Sequence, residues 1–201
     1  MSHYQQCVLE AVAARAAARK ADSTRHKCFV SYHAADTVEV EAFLEEFGSE
    51  FIAKTVGVTE EDDFIDSNDT NYILDQIRTK YLGDSSVTIV LVGKCTWARK
   101  YVDWEVYSSL RDSKYSKVNG LLAITLPSAA NLSNKRLPAR VDDNVVRDAD
   151  SKDIGYARWY RYPTSKGVLR SCIDDAFLAR TTRQALIDNN RGRKKNNSPC
   201  P

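Results

Sequence analysis

Apolar positions in this chain follow two spacings. Short apolar runs at Lys27–Tyr32, Phe51–Val56, Ser86–Val92 and Gly120–Thr125, each bounded by polar or glycine-containing connections, read as buried strands. Between them, apolar residues recur every three or four positions, the period of a helix buried on one side. Val40, Phe43, Leu44 and Phe47 set such a stripe over residues 37–47, with Asp36 placed to cap it and Gly48 to end it. Ile73, Ile77 and Tyr81 predict a helix over about 70–81, with Asn68 or Asp69 before it. Val102, Val106 and Leu110 predict one that opens at Tyr101-Val102-Asp103-Trp104-Glu105 and runs to about Asp112. Leu169, Cys172, Ile173, Ala176 and Phe177 predict a last one over about 166–188, and Tyr156–Tyr162 reads as an aromatic edge strand.

Ahead of these, residues 3–20 are alanine-rich with Val8, Leu9, Val12 and Ala16 on one face, the pattern of an extra N-terminal helix. Residues 126–153 keep no period and read as a long irregular connection; the polar stretch 189–201 reads as a disordered tail. Strand and helix alternate, which predicts an α/β, flavodoxin-like three-layer fold with a mainly parallel sheet. The chain divides into an N-terminal helix and linker (1–25), a domain (26–188) and a polar, basic tail (189–201).

Composition changes this picture little. The 201 residues suit one domain, 43% hydrophobic content suffices for a core, and a net charge of +2 argues against binding nucleic acid over the whole surface. Basic residues gather only at Arg191, Arg193, Lys194 and Lys195, where they read as a solubilising end or a local nucleic-acid contact. Five scattered cysteines without a CxxC pair indicate neither a zinc site nor a disulfide framework, and read as free thiols in a reducing cytosol. No apolar stretch is long enough to span a membrane, and Glu10, Arg15 and Arg19 interrupt the N-terminal alanines, which excludes a signal peptide and places the protein in the cytoplasm.

Candidate chemistry collects where strands end, because open α/β sheets bind ligands outside the carboxyl ends of their strands. Glu105 falls in or just after the first turn of its helix, beside the end of the 86–92 strand. Ser31, Tyr32 and His33 follow the first strand; Ser31 and Tyr32 alternate, so one of them must face the sheet interior. Asp36 reads as a helix cap or a site carboxylate. In the loop before Glu105, Thr96 is a polar candidate, Trp97 suits stacking on a substrate ring or ordinary packing, and Arg99 suits a pyrophosphate or bulk solvent. Neither a G-x-G-x-x-G fingerprint nor a P-loop is present, so hydride transfer and NTP hydrolysis lack their usual signals.

Taken together, Cys28-Phe29-Val30-Ser31-Tyr32-His33, Asp36, the strand Ser86 to Gly93 and Tyr101-Val102-Asp103-Trp104-Glu105 resemble the TIR-like (Toll/interleukin-1 receptor-like) domain of bacterial Thoeris anti-phage defence, the ThsB type, over about residues 26–126. The resemblance implies a TIR-like fold and NAD+ as a substrate rather than a bound cofactor. It implies cleavage of the nicotinamide–ribose bond, release of an ADP-ribose-derived, often cyclic signal, and a partner effector reached through that signal. The family's catalytic glutamate corresponds to Glu105, and its pocket's opening loop to Ser31, Tyr32 and His33. Phe64, Asp66 and Asn68 lie in the loop that borders the cleft or an assembly surface in such folds. Tyr101 stands where related motifs often carry Trp. A phage-derived trigger and a homo-oligomer fit the same picture. One glutamate suffices for the chemistry: nicotinamide departs neutral, and only the cationic ribose left behind needs a carboxylate. A non-enzymatic TIR-like assembly module is the alternative; a receiver-like domain would want paired acids where Ser31-Tyr32-His33 stands.

Overall fold

The computed structural model describes residues 25–56, 72, 76–112 and 117–200, so the predicted N-terminal helix and the acidic loop from Gly57 lie outside the described residues. The apolar runs form β1 (Lys27–Ser31), β2 (Ile52–Val56), β3 (Val87–Val92) and β4 (Gly120–Thr125), and the aromatic run forms a short β5 (Arg158–Tyr160). Their order is β2-β1-β3-β4-β5 and every pairing is parallel. Among the described residues, four α-helices flank them: α1 (Thr37–Phe47), α2 (Lys100–Ser109), α3 (Ala139–Val145) and α4 (Lys166–Thr182). Of the helix predicted over 70–81, the described part ends in a π-helical turn, Ile77–Leu82.

Two-residue alternation along the strands builds the three layers. Val30, Ile89, Leu91, Leu122 and Ile124 pack against Val40, Phe43 and Phe47 of α1 and Leu169 and Ile173 of α4. Val90, Val92, Leu121 and Ala123 pack against Val102 and Val106 of α2 and Val141 and Val145 of α3. The strand order reverses between β1 and β3, the topological switch point at which such sheets hold ligands.

Four expectations need correction. The connection 126–153 contains α3, whose buried face includes Arg140 and Asn144, so no apolar period marks it. Helix α4 stops at Thr182, because Arg183 leaves helical geometry (φ −127°) with its guanidinium folded back onto Asp175. The cysteines are not all free thiols: Cys95 and Cys200 form a disulfide, while Cys28 and Cys172 are buried and free. The segment 189–200 is not a disordered tail but a strap across α2 and α3. The fully buried Arg140 donates to Asn189 Oδ1 (2.8 Å) and to the Arg191 carbonyl (3.0 Å). Trp104 Nε1 donates to the Lys194 carbonyl (2.8 Å), and the Lys194 amide donates to Asp103 (2.7 Å). The Lys100 amide, an orphan donor at the start of α2, finds Asn197 Oδ1 at 2.9 Å, and the Ser198 amide meets the Ala98 carbonyl at 2.9 Å.

The disulfide joins residues 105 apart in sequence, so it restricts most of the unfolded chain. Cys200→Ser is expected to cost about 2–4 kcal/mol of stability. Chemical denaturation of wild type and variant under non-reducing conditions measures the difference, and adding reductant should bring wild type down to the variant's midpoint.

Candidate active site

Ser31 is the last residue of β1, and alternation turns it toward α2 while Tyr32 joins the core against α1. Helix α2 is held against the sheet by Val102 and Val106, which presents Glu105 inward on the same side. The two side chains meet: Ser31 Oγ donates to Glu105 Oε2 at 2.5 Å, and both residues are buried. Glu105 lies in the second turn of α2, deeper than the helix end, because the helix begins already at Lys100. Its orientation is therefore set by the Ser31 contact and the packing of α2, with the helix terminus contributing less.

The connections after β1 and β3 meet at the same edge. Asp36 stands at the cap position of α1 but makes no side-chain cap bond among the described residues. Its Oδ2 instead accepts from Thr96 Oγ1 at 3.2 Å, and that hydroxyl accepts from the Gly93 amide at 2.9 Å. Gly93 permits this approach: a Cβ there would come within 2.2–2.4 Å of the Asp36 carboxylate, which would have to move away. Burial, and then the Glu39 charge, push the Asp36 carboxyl up to about 6 against the opposing effects of Thr96 and Arg99. Burial, and then the Arg99 charge, push the His33 imidazole down to about 4, so it is neutral at pH 7. Arg99 keeps its Nε buried without a hydrogen-bond partner among the described residues.

The structure thus gathers Ser31 with Glu105, and Asp36 with Thr96, with Arg99 near enough to His33 and Asp36 to act on both charges. Tyr32 contributes to the core, its side chain 6% exposed. Trp97 lies under the Arg136 guanidinium, 5.0 Å from the ring centre, and Trp104 is taken up by Tyr101 and the strap. Asp66 and Asn68 lie outside the described residues. Sequence reasoning missed Gly93, whose signal is its place directly after a buried strand, and Asp103 with Arg140, which anchor the strap near the start of α2.

The two shifted groups make opposite contributions to stability with pH. From 6.5 down to about 4, the unfolded His33 binds a proton that the folded one refuses, so stability falls as pH falls. From 3.8 up to about 6, the folded Asp36 holds a proton that the unfolded one has lost, so stability falls as pH rises. The contributions partly cancel in wild type. Asp36→Asn is expected to raise Tm at pH 7 with the gain vanishing below about pH 4, and His33→Gln to gain relative to wild type as pH drops from 6.5 toward 4. Thermal melts across pH 4 to 7 check both signs.

A parallel sheet of order β2-β1-β3-β4-β5 with a buried carboxylate at its switch point defines a flavodoxin-like α/β domain whose ligand edge lies between β1 and β3. Among known families, residues 29–131 match the model of Thoeris protein ThsB, TIR-like domain, and the chain belongs to that family of anti-phage defence. No curated protein matches the sequence. Among the described residues, no helix is long and apolar enough to cross a membrane.

Proposed function

We propose that the protein is an NAD+-consuming enzyme of anti-phage immunity that cleaves the nicotinamide–ribose bond. The product would be an ADP-ribose-type signal, cyclic where the ribose carbon is captured by the adenine of the same molecule, and it would activate a separate effector in the cytoplasm. The observation that carries this reading is the buried Ser31–Glu105 pair at the switch point. As nicotinamide leaves with the bonding electrons, positive charge grows on the ribose. A carboxylate held away from water stabilises that charge more than a solvated one, and needs little reorganisation as the bond breaks. The Ser31 hydroxyl, donating to Glu105 Oε2, fixes the carboxylate in place for the sugar. Arg99, with an Nε donor unsatisfied among the described residues, suits the pyrophosphate, and neutral His33 and the Thr96-bonded Asp36 sit in the connections after β1 and β3 beside it.

The test is mass spectrometry of nucleotides from cells making the protein, with and without phage, beside cells making Glu105→Gln. The expected result is phage-dependent loss of NAD+, a rise in nicotinamide and a new ADP-ribose isomer, all absent with the variant. Protection from phage with NAD+ unchanged would instead favour an assembly role without catalysis.

A further inference from the structure

We infer that the C-terminal strap completes a binding site for a diphosphate group, in a hollow between the loop before α2 and residues 191–194. The hollow measures about 200 Å³ and is lined by Trp97, Arg99, Asp103, Arg191, Gly192 and Lys194, at the start of α3. Two of its charges are already matched. Arg191 is held by Asp143 through two contacts of 2.6 Å, and Asp103 by Arg140 at 2.9 Å. The Lys194 ammonium meets only the neutral Ser198 hydroxyl among the described residues, at 2.8 Å, and the Arg99 Nε has no hydrogen-bond partner there, although its charge acts on Asp36. A guanidinium from the loop and an ammonium from the strap line one hollow and suit an anion with two charged centres, and guanidinium and ammonium groups are the usual partners of phosphate oxygens. Arg99 lines the hollow from the same loop whose Thr96 hydroxyl bonds Asp36 at 3.2 Å, so a diphosphate held here lies on the loop that reaches the proposed cleft.

This inference rests on the proposed NAD+ reaction only for the molecule that carries the diphosphate. The backbone of Lys194, rather than its side chain, fastens the strap to Asp103 and Trp104, so the ammonium can be removed without freeing the segment. Calorimetric titration of the full chain with inorganic pyrophosphate, with ADP-ribose and with adenosine is the experiment, using wild type, Lys194→Gln, Lys194→Arg and the exposed control Lys195→Gln. Pyrophosphate is expected to bind wild type and Lys195→Gln alike and Lys194→Gln about tenfold or more weakly, with Lys194→Arg largely restored and the unliganded Tm unchanged throughout. ADP-ribose competing with pyrophosphate assigns the site to a dinucleotide, whereas pyrophosphate binding alone assigns it to a free anion; adenosine should do neither. No pyrophosphate binding by wild type, or equal binding by Lys194→Gln, overturns the inference. NAD+ cleavage that depends on Glu105 would survive that result, and pyrophosphate binding through Lys194 would equally survive a failure to detect cleavage.

Discussion

Glu105→Gln is expected to lower nicotinamide release by about 10²–10³-fold or more, the loss typical when one preorganised electrostatic group is removed from a dry site. Shape barely changes, and the amide oxygen still accepts from Ser31. What disappears is the full negative charge facing the developing ribose cation. Stability should hold or rise, because a neutral amide costs less to bury than a carboxylate. Ser31→Ala separates positioning from charge: it keeps the carboxylate and removes the donor at 2.5 Å, so its activity should fall between wild type and Glu105→Gln. Single-turnover nicotinamide release, with thermal melts of the same preparations, measures both. Turnover by Glu105→Gln at the wild-type rate would remove the mechanism outright, and a collapse of its Tm would make the loss structural.

The strands and the two flanking helices α1 and α2 were legible because each buries a stripe that a two- or four-residue period reveals. Ser31 and Glu105, 74 positions apart, were legible as neighbours for a different reason: a parallel sheet brings all its strand ends to one edge. Where burial is polar, the same reasoning fails. Helix α3 and the strap are organised by the guanidinium of Arg140, the amide of Asn144 and backbone carbonyls, none of which leaves a hydropathic trace. The strap is irregular and polar throughout, which in sequence looks the same as a disordered end. The partner of Cys95 could not be chosen among the other cysteines by spacing, since the pairing depends on where residues 189–200 run. Asp36 illustrates the converse error: its position before α1 fits a cap, but the close passage of Gly93 draws its carboxylate to Thr96.

Arg140→Met is expected to destabilise the protein by about 3–5 kcal/mol, the usual loss when one member of a buried ion pair is removed. The Arg140 side chain is 0% exposed and the Asp103 side chain 8%, so the carboxylate left behind keeps the Lys194 amide but has little water to replace its charged partner. The strap loses further anchors at Asn189 and at the Arg191 and Gly192 carbonyls. A methionine fills the volume without restoring any of them. Replacing both charges, Arg140→Met with Asp103→Leu, should recover part of the loss, because no charge then remains unpaired. Recovery should stay incomplete, since the strap carbonyls still lack a donor and the Lys194 amide loses Asp103. Denaturation midpoints of the two single variants and the double variant give the coupling between the pair. Limited proteolysis adds a local readout: cleavage within residues 189–200 should appear in Arg140→Met at denaturant concentrations at which wild type resists it. An Arg140→Met midpoint equal to wild type would show that the strap and α2 hold their places without this guanidinium.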